Sequence, residues 1–379
     1  MIDALFEWLV DGAPGASQPE EIVERLGADL VAAGVPVERV FIFVTTLHPT
    51  VLGRQFRWAK GEPVKTIELT TEIQRSPAFA NSPITAVVTT RREVRRRIDD
   101  TIGPEDYGVV HDLRAAGFTD YFCAPLPFLS GETHAATFVT RAPGGFTDAH
   151  LADLRRMLRP LARVSEIFAL RRVATNLLST YVGRDAGERV LAGRILRGDI
   201  ETIRAVIWFS DLRGFTEMSS RLPPAEIVAV LNELFDCQVP AIEKHRGEVL
   251  KFIGDGLLAI FPFESEVGAR CEDALAASRD AFAALEKRNA SSTSPIRFGL
   301  ALHLGEIAYG NIGGASRLDF TAIGPAVNIA ARLEGLGSKL GKRLVVSEEV
   351  AAHLGVALED LGAHELKGVP RAQRAFAPA

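Results

Sequence analysis

Two apolar runs joined by Gly254-Asp255-Gly256 constrain this chain more than any other feature. One polar residue between two glycines, flanked by apolar stretches, reads as the tip of a β-hairpin over 248–263. Upstream, Ile207-Trp208-Phe209-Ser210-Asp211-Leu212-Arg213-Gly214-Phe215-Thr216 begins as a buried strand and ends in a glycine-containing turn. Each element ends on one aspartate, Asp211 or Asp255, and neighbouring strands can bring the two carboxylates together. Two hard-oxygen ligands held that way suit Mg²⁺ or Mn²⁺ carrying a phosphate chain. A single aspartate after a strand is ordinarily a cap or turn former. Two, each beside glycine-relieved backbone, point to metal.

The rest of the chain organises around that pair. A length of 379 residues allows two or three domains. Residues 1–150 read as a mixed α/β domain: a helix over 20–33 and strands near 40–45, 55–58, 65–69, 121–127 and 135–140, closed by Pro143-Gly144-Gly145. Residues 151–200 read as a helical linker. Leu151, Leu154, Leu158, Leu161, Val164, Phe168, Leu170 and Leu177 recur at spacings near three and four, in a stripe that suits a dimeric signalling helix. Pro160 is expected to kink or end its first helix. Residues 201–379 alternate regularly: a strand over 205–209, a helix over 225–243, the hairpin, a helix over 266–288 and a strand from 296. That order, β-α-β-β-α-β, predicts a sheet containing antiparallel strands with helices on one face.

Charge and composition exclude several function classes. A net charge of −5 argues against a general nucleic-acid binder. The run Arg91-Arg92-Glu93-Val94-Arg95-Arg96-Arg97 is a local exception, read as a solvated helix face. Cys123, Cys237 and Cys271 lie far apart without CxxC spacing, which suits a reducing cytoplasm. Met1 to Trp8 lacks the basic start of a secretory leader, and no apolar stretch approaches the roughly 20 residues of a membrane span. A soluble, cytoplasmic protein is the expectation. His48, beside Pro49, reads as a turn residue rather than a cofactor ligand.

Further polar residues stand where chemistry could use them. Pro325 marks a helix start, which puts Asn328 and Arg332 four residues apart on one face. An amide and a guanidinium at that spacing can hold a sugar oxygen and a phosphate. Lys251 lies four positions before Asp255, and strand alternation would put both on one face. Lys367 precedes the glycine turn at Gly368. The backbone amides beside Gly214 can cradle phosphate oxygens; this nominates Phe215 and Thr216.

These segments together resemble the catalytic domain of the class III nucleotidyl cyclases. Phe209-Ser210-Asp211-Leu212-Arg213-Gly214-Phe215-Thr216, Gly254-Asp255-Gly256, Val327-Asn328-Ile329-Ala330-Ala331-Arg332-Leu333 and Leu366-Lys367-Gly368 occur in family order and spacing. The resemblance implies an α+β fold with a ferredoxin-like βαββαβ catalytic domain; separately, Ala124-Pro125-Leu126-Pro127 through Gly144-Gly145-Phe146-Thr147 resembles the closing part of a GAF domain, so a GAF- or PAS-like sensor domain and a helical linker are expected before it. It implies an adenylate cyclase of the bacterial threonine subgroup, forming 3′,5′-cyclic AMP and pyrophosphate from ATP. Asp211 and Asp255 would bind two Mg²⁺ or Mn²⁺ ions. Lys251 and Thr321 would read the purine, Asn328 the ribose and Lys367 the triphosphate tail, while Arg332 would meet charge developing at the α-phosphate. The family's sites form across a head-to-tail dimer, so a homodimer is implied, with an unidentified small-molecule or protein effector at the N-terminal domain. The alternatives are a guanylate cyclase, which Lys251 disfavours, and a catalytically silent nucleotide-binding module. A diguanylate cyclase would need a Gly-Gly-Asp/Glu-Glu-Phe turn, which is absent.

Overall fold

The computed structural model describes residues 1–45, 51–74 and 76–378. His48 lies outside them. Two units are present, Met1–Leu177 and Leu178–Ala379.

In the first unit, helices α1 (Ile2–Val10) and α2 (Pro19–Ala32) precede strands β1 (Arg39–Thr45), β2 (Val51–Ala59) and β3 (Glu62–Thr70). Short helices α3 (Thr71–Gln74), α4 (Pro77–Ala80) and α5 (Pro83–Thr90) lead to β4 (Val94–Arg97) and α6 (Gly108–Ala115). The hairpin β5 (Asp120–Pro127) and β6 (Thr133–Thr140) follows, then the long helix α7 (Asp148–Val182). The six strands form one antiparallel sheet in the order β3-β2-β1-β6-β5-β4. Its apolar residues divide between two cores, one with α1, α2 and α7, the other with α5 and α6.

Two expectations fail here. The end of the basic run, Val94–Arg97, forms edge strand β4, not a helix, because alternation turns Arg95 inward onto Asp120. That carboxylate is fully buried and lies 2.7 Å from the guanidinium. Such a pairing depends on a strand 25 residues away. Pro160 neither ends nor splits α7. The lost backbone hydrogen bond costs about 3 kcal/mol, but Pro160 is buried among Leu158, Leu161 and Ala162, whose packing offsets it. The apolar stripe of α7 divides in two. Leu151, Leu154, Leu158, Leu161 and Val164 are core, whereas Leu170 and Leu177 are exposed.

The second unit begins with α8 (Arg184–Leu191), β7 (Ile200–Leu212), α9 (Phe215–Arg221) and α10 (Pro224–Lys244). The hairpin β8 (Glu248–Ile253) and β9 (Gly256–Phe263) leads to α11 (Val267–Ala290), β10 (Phe298–Gly313) and β11 (Leu318–Ile323). Helix α12 (Pro325–Lys339), β12 (Leu344–Ser347), α13 (Glu348–Ala351), β13 (Leu358–His364) and β14 (Gln373–Pro378) complete it. Prolines at the first positions of α10 and α12 start those helices with no amide to satisfy. The sheet order is β13-β14-β12-β10-β7-β9-β8, with β11 paired to β10. Within it, β10, β7, β9 and β8 are antiparallel neighbours, and β12 runs parallel to β10.

Helices cover both faces of this sheet, not one. Val206 and Trp208 of β7 enter the core beneath α10 and α11. Ala205 and Ile207 enter a second core that includes Ala186 of α8 and Ala326 and Ala330 of α12. An unbroken apolar run is what a strand buried on both faces requires. Residues 205–208 carry that signal.

Candidate functional site

Asp211 is the penultimate residue of β7, directly opposite Gly256 of β9. The preceding Ser210 donates to the Gln238 side-chain oxygen at 2.6 Å, both residues buried, which ties this end of the strand to α10. Gly256 has to be glycine: a Cβ there would lie 2.9 Å from the Ser210 carbonyl oxygen and 3.4 Å from Asp211 Oδ1. Asp255, one residue earlier in the hairpin turn, thereby comes close enough to Asp211 for its charge to act on that carboxyl. Burial first, then the charge of Asp255, pushes Asp211 up to about 6.

A second layer lies behind the aspartates. Arg213 pairs with Glu334 of α12 at 2.7 Å, and Glu334 is only 5% exposed. Both side chains occupy the space over Gly299 of β10, the residue paired with Asp211 across the sheet. A Cβ on Gly299 would fall 1.8 Å from Arg213 Nη2 and 2.4 Å from Glu334 Oε1. Arg213 Nη2 and Glu334 Oε1 have no hydrogen-bond partner, so the 2.7 Å contact is an ion pair without hydrogen-bond alignment. Burial pushes Glu334 up to about 7; Arg213 opposes this, and Asp211 and Asp255 add to it. Sequence reading missed Glu334. Its signal is an acid in the apolar frame of Leu333, Leu336 and Gly337.

The donor set fits a divalent cation. The neighbouring Asp255 raises the proton affinity of Asp211, an effect that a positive charge beside them would reverse. Among the described residues no group of three or more such ligands occurs. Two carboxylates leave the other positions to water and phosphate oxygens, the arrangement Mg²⁺ favours.

This geometry predicts a metal-linked pH dependence. A carboxyl whose folded pKa exceeds its unfolded value stabilises the fold below the unfolded pKa, and that contribution is lost as pH rises through the folded one. Asp211 at about 6, and Glu334 and Glu248 at about 7, act in this sense. Each of these three groups should therefore withdraw stability from the metal-free protein between roughly pH 4 and pH 7. Mg²⁺ should raise Tm more at pH 8 than at pH 5, by about 2–4 °C once solvent screening is allowed for. Scanning calorimetry at both pH values, with and without Mg²⁺, checks this. Equal increments would contradict it.

The other nominated residues are placed as follows. Lys251 lies on β8 but does not share a strand face with Asp255, because Asp255 is in the turn and the β8–β9 register slips between Val249 and Lys251. Instead Lys251 forms an ion pair with Asp319 of β11. Thr321, two residues further along β11, is buried and 6% exposed. Asn328 and Arg332 are exposed on α12, and Lys367 is exposed in the turn before β14. None of these three has a side-chain partner among the described residues. Phe215 packs on the core at the start of α9, and Thr216 is exposed beside it. Asp319 was also missed, although Leu318-Asp319-Phe320-Thr321 alternates in a way that puts Asp319 and Thr321 on one face.

Residues 200–376 match the family model described as the adenylate and guanylate cyclase catalytic domain. The adenylate cyclase of Anabaena cylindrica is 34% identical over 165 residues, covering 41% of this chain and 32% of that protein. The chain spans about a third of the length of the curated relatives it matches. Among solved structures, a bacterial light-regulated adenylyl cyclase is 29% identical with a TM-score of 0.43, over 47% of this chain and 91% of the other. The guanylyl cyclase Cya2 is 28% identical with a TM-score of 0.43, over 48% and 93%. No described helix is long and apolar enough to cross a membrane. Residues 200–376 thus belong to the adenylate and guanylate cyclase catalytic domain family.

Proposed function

We propose that the chain is an adenylate cyclase whose active sites form between two copies of residues 201–379. The observation that carries this reading is that Asp211, at the β7 end opposite Gly256, lies beside Asp255 of the adjoining hairpin turn. Two divalent ions, when bound, supply charge neutralisation on the triphosphate and lower the pKa of the ribose 3′-hydroxyl. Asp211 and Asp255 hold them. The free amides beside Gly214, at Phe215 and Thr216, face the phosphates. Lys251 and Thr321 read the purine, Asn328 orients the ribose and Lys367 binds the terminal phosphates. Arg332 neutralises charge at the α-phosphate as the 3′-oxygen attacks in line and pyrophosphate departs.

The dimer is supported by the geometry of α12. At 100° per residue, Glu334 lies about 160° from Arg332 around the helix. Glu334 is buried beside this chain's aspartates, which turns Arg332 and Asn328 away from them. A second copy would bring an Arg332 face to each aspartate pair. The exposed Leu170 and Leu177 of α7 suit pairing of the same two chains. Residues 1–150 would form a sensor domain and 151–200 its transducer, with a small-molecule or protein effector acting at the former.

The test is product formation from ATP and from GTP with Mg²⁺ or Mn²⁺. Cyclic AMP from ATP, with cyclic GMP at least about tenfold slower, is the expected result. Cyclic GMP as the main product would replace this reading with a guanylate cyclase. No product from a folded dimer would favour a silent nucleotide-binding module.

A further inference from the structure

We propose that Asp319, rather than Thr321 alone, supplies the hydrogen-bond acceptor by which this chain distinguishes adenine from guanine. The inference rests on the adenylate cyclase reading, with Lys251 directed at purine N1. Lys251 on β8 and Asp319 on β11 form an ion pair, with side chains 29% and 61% exposed. Both line one cavity of about 850 Å³ together with Phe252 and Phe320. Thr321 does not line it and makes no side-chain hydrogen bond among the described residues. Asp319 and Thr321 share a strand face about 7 Å apart, and Asp319 is by far the more exposed of the two.

The chemistry of the pair is directional. An ammonium only donates and a carboxylate only accepts. With Lys251 on N1, the Asp319 carboxylate meets position 6 of the purine. In adenine that position is an amino donor and N1 an acceptor, so both contacts are made. Guanine offers an acceptor at position 6 and a donor at N1, so both contacts become like against like. In the absence of nucleotide, the Lys251–Asp319 contact keeps each group satisfied and holds the ammonium at the cavity. Asp319 is thus a specificity residue and also a positioning residue for Lys251.

The experiment compares wild type, Asp319→Asn, Asp319→Glu and Thr321→Ala with ATP and GTP. The ATP-over-GTP ratio is read twice: as kcat/KM with Mn²⁺, and as equilibrium affinity by calorimetry with each nucleotide. Asp319→Asn should lower both ratios by about tenfold or more, mainly by raising KM for ATP, and Asp319→Glu should keep most of the preference. An unchanged ratio in Asp319→Asn, with a fall in Thr321→Ala, would overturn the proposal. So would an equal loss for both nucleotides in Asp319→Asn, the mark of a merely structural ion pair. If wild type forms no cyclic product, the adenylate cyclase reading fails, and calorimetry still decides Asp319: a wild-type preference for ATP lost in Asp319→Asn supports the role, and no preference overturns it.

Discussion

Replacing Asp255 with alanine is expected to lower kcat by at least ~10³-fold, equivalent to about 4 kcal/mol of barrier. Asp255 stands in the β8–β9 turn near Asp211, and neither residue holds up the core. Folding should survive. Removing Asp255 also relieves Asp211 of a neighbouring negative charge, so metal-free stability above about pH 6 should rise while catalysis is lost. That opposition separates a metal-site defect from a folding defect. The measurement is cyclic nucleotide formation beside a Tm at pH 8 without metal. A variant that keeps more than about a tenth of wild-type kcat would remove Asp255 from the metal site.

Arg332→Ala is expected to match that loss, through the loss of transition-state charge stabilisation. The two variants should nevertheless rescue each other. Were the aspartates and Arg332 contributed by opposite protomers, an equal mixture of Asp255→Ala and Arg332→Ala chains would form about half heterodimers, each with one intact site of two. Recovery to about a quarter of wild-type activity is then expected. The assay is turnover after co-refolding or co-expression, against each variant alone. Absence of recovery, with heterodimers verified, would mean that one chain supplies the whole site. Arg332 is exposed and without a side-chain partner among the described residues, so its substitution does not disturb the packing of α12.

Much of the fold and the candidate site was legible because short-range rules carry it. The pattern Gly254-Asp255-Gly256 specifies a hairpin turn, and β8 and β9 flank it as expected. Pro325 starts α12, which keeps Asn328 and Arg332 on one exposed face. The apolar run at 205–208 forms the central strand, although its unbroken character pointed to helices on both faces and not one. The failures share a cause. Val94 to Arg97, the end of the basic run, became an edge strand through the buried Asp120. Pro160 stayed inside α7 because its neighbours are core. In each case a tertiary partner outweighed a local preference.

Sequence alone determined which chemistry is available: two aspartates at strand and turn ends, an Asn–Arg helix face, and lysines on a hairpin and before a glycine. These are matters of residue type and spacing along a few turns of backbone, where periodicity maps order onto direction. Tertiary structure alone decided the pairings. Glu334 lies behind Asp211 because Gly299, on a third strand, leaves the space. Lys251 faces Asp319, 68 residues away, and not Asp255, because a register slip and a turn separate it from its near neighbour. Contacts of that kind depend on which strands become neighbours, and no local periodicity encodes that choice.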